Sequence, residues 1–159
     1  MSQRFEGTKT NYLDANFPFL DGFPLLPHLS HSDGRKIDLA FYYHREGERT
    51  NRAPSFIGYG VYEDPAKGEE SYPQICADRG YWQYGFMSSI VPQWQKVEYE
   101  LDVQRTRALI KRLAQDEETS KIFIEPHLKD RWRLHRFGNV RFHGCQAVRH
   151  DDHIHIQIR

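Results

Sequence analysis

From His150 to His155 the chain reads His-Asp-Asp-His-Ile-His, with three imidazoles and two carboxylates in six positions. Imidazole titrates near neutral pH and is the commonest metal ligand among side chains. Such a cluster can hold a metal ion, move a proton, or do both. A second group stands near the start of the chain. In "SHSDGRKID", Asp38 follows His31 by seven positions. His31, Asp38 and a histidine from the C-terminal cluster make a set of two imidazoles and one carboxylate. Three protein ligands with a fourth position left to water is the pattern of catalytic zinc. Non-haem iron(II) accepts the same donors. In the iron oxygenases, however, a single residue separates the first histidine from the acid, so the longer interval here favours zinc. By spacing alone, both His153 and His155 are candidates for the last ligand.

These side chains must be carried by strands. Residues two apart on a strand share a face. In "HIHIQIR" Ile154, Ile156 and Ile158 therefore face the core, and His153, His155, Gln157 and Arg159 face the other way. The rise of roughly 3.3 Å per residue sets the two imidazoles about 7 Å apart at their bases. "RKIDLAFYY" alternates in the same manner after an Asp33-Gly34 turn. Its apolar neighbours make it a central strand, where the Asp38 carboxylate is costly unless paired or metal-bound. Asp151 and Asp152 read either as a solvated turn before the last strand or, for one of them, as the partner that orients an imidazole. His44, His127, His135 and His143 are expected to be structural or surface residues.

The rest of the chain reads as an α+β domain with a central antiparallel sheet, one long helix and long loops. "ELDVQRTRALIKRLAQDEE" carries the helical period, with Val103, Arg107, Ile110, Leu113 and Ala114 on one face. "KIFIEP" predicts a strand stopped by Pro126. "HLKDRWRLHR" predicts a short helix with Leu128, Trp132 and His135 on one side, and "VRFHGCQAV" a further strand. One domain over 1–159 is expected, with an N-terminal extension over 1–25 in loop language. An insertion over 44–96 is expected too, with a short strand at "SFIGYGVY".

Bulk composition narrows the classes. The chain has 159 residues, and 22 basic residues balance 22 acidic ones. No global basic field is available for nucleic acid. From His127 to Arg149, Lys129, Arg131, Arg133, Arg136, Arg141 and Arg149 face only Asp130. That run is either a solvated surface or a site for substrate carboxylates. No stretch reaches the roughly 20 apolar residues of a membrane span. The first residues hold no apolar segment of signal-peptide type. The expectation is a cytosolic protein, or a periplasmic or extracellular one whose signal has been removed. Cys76 and Cys145 are open between one disulfide and two buried thiols.

Taken together, "SHSDGRKID" and "RHDDHIHIQI" resemble the motifs of the lysostaphin, D-Ala-D-Ala metallopeptidase and hedgehog superfamily. The resemblance is strongest to the penicillin-insensitive murein endopeptidases. His28, His31, Gly34 and Asp38 match their first motif, and His150, His153 and His155 their second. The helix followed by "KIFIEPHLKD" fits the segment between the motifs, so the resemblance covers roughly 25–159. Lys36 stands where the family often has an acid. Gln146, Ala147 and Val148 replace its usual aromatic residues.

The resemblance implies a hedgehog/DD-peptidase-like fold with zinc held by His31, Asp38 and His155. It implies His153 as general base or as donor to the tetrahedral intermediate, His150 sharing that work, and His28 as an accessory residue. The implied activity is hydrolysis of peptide bonds in peptidoglycan cross-links or related D-amino-acid peptides. Two alternatives use the same motifs: a cytosolic D-Ala-D-Ala dipeptidase, and a non-catalytic zinc-binding interaction domain. A peptidoglycan or muropeptide substrate is the expected partner, with its binding residues unassigned.

Overall fold

A computed structural model of the chain describes residue 1 and residues 3–15, 34–85 and 90–159. The fold is α+β. Among the described residues its main sheet has five strands: β1 (Tyr12–Ala15), β2 (Lys36–Ala40), β6 (Thr119–Phe123), β7 (Val140–Arg141) and β8 (His153–Ile158). Their order is β1-β2-β8-β6-β7, antiparallel except for the β6–β7 pair. A smaller antiparallel sheet contains β3 (Tyr43–Arg45), β4 (Glu48–Thr50) and β5 (Tyr99–Leu101), in the order β4-β3-β5. The helices among the described residues include α1 (Tyr72–Asp78), α2 (Val103–Ala114) and α3 (Pro126–Arg131), with 3-10 turns at Trp82–Gly85 and Gln93–Glu98. Among the described residues, no helix is long and apolar enough to cross a membrane.

The alternation of β8 decides the architecture. Ile154 and Ile156 enter the core with Leu39, Ile122 and Ile124. Leu128, Trp132, Leu134 and Val140 close that core from the α3 side. Ile158, expected in the core, is 44% exposed because it lies at the end of the strand. His153 and His155 occupy the opposite face of the sheet, and they too are buried.

The expected helix is present, but its buried face is turned. Val103 is 40% exposed, whereas Arg105, Thr106, Leu109 and Ile110 are buried. Polar bonds cause the turn. Asp102 caps the helix by accepting from the Arg105 N–H, and it pairs with the Arg105 guanidinium at 2.7 Å. That guanidinium also donates to the carbonyls of Tyr43 and Thr50, and the Thr106 hydroxyl accepts from Tyr42 N–H. An apolar-periodicity argument cannot anticipate an arginine drawn inward by backbone carbonyls.

Other expectations need correction. Tyr12–Ala15, inside the expected N-terminal extension, is a strand of the main sheet paired with β2. The expected insertion over 44–96 contributes β4, most of β3 and α1 to the fold. "SFIGYGVY" forms no strand, because glycines at positive φ interrupt it. The predicted strand "VRFHGCQAV" extends only over Val140–Arg141. His135 does not join Leu128 and Trp132 but is exposed beside Asp130. Cys76 and Cys145 form a disulfide, which ties α1 to the loop ahead of His150.

Candidate metal centre

Asp38 and His155 are directly opposed across β2 and β8. Their side chains meet on the non-core face, where Asp38 Oδ1 lies 2.8 Å from His155 Nδ1 and both are almost fully buried. On the other side of His155 its register partner is Phe123 of β6. The period-2 pattern places His153 on the same face, and its Nε2 is 3.7 Å from Asp38 Oδ2. The Nδ1 of His153 is bonded to the Asp152 carboxylate, which also accepts from the Gly60 N–H. Asp152 therefore orients the imidazole and turns Nε2 toward Asp38.

Asp151 and Asp152 are buried, so neither is a solvated turn residue. Asp151 holds the Arg149 guanidinium, with Nε 3.0 Å from Oδ1, and its carbonyl accepts from Glu63 N–H at 2.8 Å. The Arg149 guanidinium also bonds Asp64 and lies 3.9 Å over the Tyr62 ring. Arg131 is taken by Glu69. Two cations of the basic run thus already have carboxylate partners. Beside them opens a cleft of about 730 Å³ lined by Asp64, Glu69, Gln74, Tyr81, Trp82 and Arg149, among others.

His150 completes the cluster. Its ring centroid is 4.9 Å from that of His153 and 5.6 Å from that of His155. Its backbone is fixed in both directions by Glu125, which accepts from the His150 N–H and donates its own N–H to the His150 carbonyl. His143, expected to be structural or surface, stacks on Phe123 at 4.0 Å and reaches within 5.3 Å of His150 and 5.7 Å of His155.

The electrostatics divide the imidazoles. Burial alone would lower His153, but Asp152 and Asp38 outweigh it and lift its pKa to about 9. His150 is driven well below its ordinary value first by burial and then by the neighbouring imidazoles of His153 and His155. Burial, then His155, lowers His143 to about 4.

His28 and His31 lie outside the described residues, as does any contact they make. Among the described residues, no three His, Cys, Asp or Glu side chains form a group able to hold a metal. The structure does bring Asp38, His150, His153 and His155 together. The donor chemistry of Asp38 and His155 fits zinc. Two ligands at about 2.0–2.1 Å from one tetrahedral ion stand roughly 3.3 Å apart, and the carboxylate oxygen and imidazole nitrogen are already near that spacing.

Tyr59, Glu125 and His143 were not anticipated as site residues. Tyr59 donates to Asp38 Oδ2 at 2.9 Å. Its signal was a tyrosine between two glycines, and that of Glu125 was a carboxylate ending an apolar run. No protein-family model matches the chain, and no curated protein does.

Proposed function

We propose that the chain is a zinc metallopeptidase, of the kind that hydrolyses peptide bonds in peptidoglycan cross-links or related D-amino-acid peptides. The observation carrying this reading is the buried Asp38–His155 pair beside two further imidazoles, one of them backed by Asp152. Asp38 and His155, with His31, would hold the ion. Bound there, zinc would supply Lewis acidity and bring the pKa of a water to about 7.

The remaining steps belong to the chain's own residues. His150, kept neutral by burial, is the acceptor for the proton of the attacking water. It returns that proton to the departing amine. His153, held and oriented by Asp152, is the donor to the carbonyl oxygen as that atom gains negative charge. A non-catalytic zinc domain has no use for two such imidazoles, so their presence favours an enzyme. A D-Ala-D-Ala dipeptidase would use the same groups on a shorter substrate.

The test is digestion of cross-linked muropeptides by metal-free and zinc-loaded protein, with D-Ala-D-Ala as the competing substrate. Zinc-dependent loss of cross-links is the expected result. Cleavage of the dipeptide alone would select the dipeptidase, and no cleavage of either with zinc bound would leave the binding domain.

A further inference from the structure

The segment 55–63 belongs to none of the recognised motifs, yet it touches the candidate centre at two successive residues. Tyr59 donates its hydroxyl to Asp38 Oδ2 at 2.9 Å, and its ring stands edge-on to His153 with centroids 5.0 Å apart. One residue later the Gly60 N–H donates to Asp152, the residue that orients His153. One short stretch thus reaches both the carboxylate expected to hold the ion and the support of the His153 imidazole.

The stretch is built to be rigid. Gly58 and Gly60 have φ of 81° and 84°, a region that favours glycine. At Gly58 a Cβ would come within 2.2 Å of the Leu13 side chain on β1. The Tyr59 carbonyl accepts from Ser55 Oγ at 2.7 Å, and the Gly60 carbonyl accepts from Gln93 Nε2 at 2.6 Å. Farther on, Glu63 N–H is bonded to the Asp151 carbonyl. Tyr59 therefore projects from a backbone fixed before, at and after it. A carboxylate can turn about its Cβ–Cγ bond. A phenol fixed on Oδ2 stops that rotation and keeps Oδ1 toward His155 Nδ1.

We propose that Tyr59 is a positioning residue of this centre: its hydroxyl fixes the plane of the Asp38 carboxylate and so strengthens binding of a divalent cation between Asp38 and His155. The zinc arm of the test rests on the metal reading above, and a second arm does not.

Tyr59→Phe keeps the ring and removes only the hydroxyl. The full chain is stripped of metal and titrated with zinc against a chromogenic chelator. Zinc affinity is expected to fall about 10–100-fold, with an unchanged thermal midpoint of the metal-free protein. Affinity within about twofold of wild type overturns the proposal. So does a drop in the metal-free midpoint large enough to account for the loss, because the role would then be structural. If the wild-type protein takes up no zinc, the metallopeptidase reading falls, and Tyr59 is judged on the metal-free protein by NMR of its histidine rings. The His155 ring signals should shift in Tyr59→Phe, because the carboxylate at its Nδ1 has turned. Unmoved signals overturn the positioning role there as well.

Discussion

Asp38 on β2 and His155 on β8 are registered cross-strand partners, and their Oδ1 and Nδ1 atoms lie 2.8 Å apart in the buried face of the sheet. Neighbouring strands hold their backbones about 4.8 Å apart. The meeting of these two groups is therefore a consequence of register. A slip of β8 by one residue would send His155 to the core side and leave Asp38 without its partner.

Loss of either partner should abolish metal uptake. Wild-type protein purified without an affinity tag is expected to carry about one zinc per chain. His155→Ala and Asp38→Ala are expected to carry almost none. Elemental analysis of the three proteins, after exposure to excess zinc and desalting, checks this. Full occupancy in either variant would remove that residue from the ligand set.

In the proposed mechanism Asp152 acts on the chemistry rather than on the metal. Asp152→Asn keeps the shape of the side chain but removes the negative charge bonded to His153 Nδ1. The turnover rate on cross-linked muropeptide should fall on the order of 10²-fold, the usual worth of a positioned acid or base. Zinc content should stay at the wild-type level. Steady-state kinetics and metal analysis on the same preparation separate the two effects.

The parts of this centre that lie on alternating strands are legible in the sequence. Period 2 puts His153 and His155 on one face of β8 and Asp38 on the polar face of β2. It also puts Ile154 and Ile156 in the core, because a strand buried on both faces leaves no freedom in how they point. What was hidden comes from loops and from polar bonding. Tyr59 arrives on a segment whose path is set by glycines at positive φ. His143 is brought in by stacking on Phe123. The buried face of α2 is rotated by Arg105 reaching for carbonyls of the small sheet. The Cys76–Cys145 pairing joins positions 69 apart, and no local pattern encodes it.

Glu125 should leave a signature in stability against pH. Burial, reinforced by Asp151, lifts its carboxyl from 4.5 to about 7, although Tyr84 and the His150 N–H pull the other way. The folded-state pKa is raised, so the fold favours the protonated form. The contribution is complete below about pH 4.5 and is lost as pH rises through about 7. Glu125→Gln imitates the protonated form and keeps an acceptor for the His150 N–H. Relative to wild type, the variant should gain on the order of 2 kcal/mol between acid and mildly alkaline pH. Urea unfolding at pH 4 and pH 8 measures the difference, and parallel curves would show that Glu125 titrates normally.

The disulfide should matter to the whole chain. It closes a sequence separation of 69 residues, for which loss of chain entropy in the unfolded state predicts about 4 kcal/mol. The double variant Cys76→Ala, Cys145→Ala is expected to unfold at correspondingly lower urea. Treating the wild-type protein with reductant should give the same midpoint if the bond is the cause.

The place of β8 in the sheet has a kinetic meaning. It follows every other strand of the sheet in sequence, yet it sits between β2 and β6, near the middle. Its contacts with β2 span more than a hundred residues. Pairings of such high contact order form late. Until β8 docks, β2 and β6 each present an open edge able to capture a strand from another molecule. Refolding should therefore be slow and sensitive to protein concentration. The docking of β8 is also what brings His153 and His155 to Asp38, so a chain in which β8 stays undocked has no centre at all.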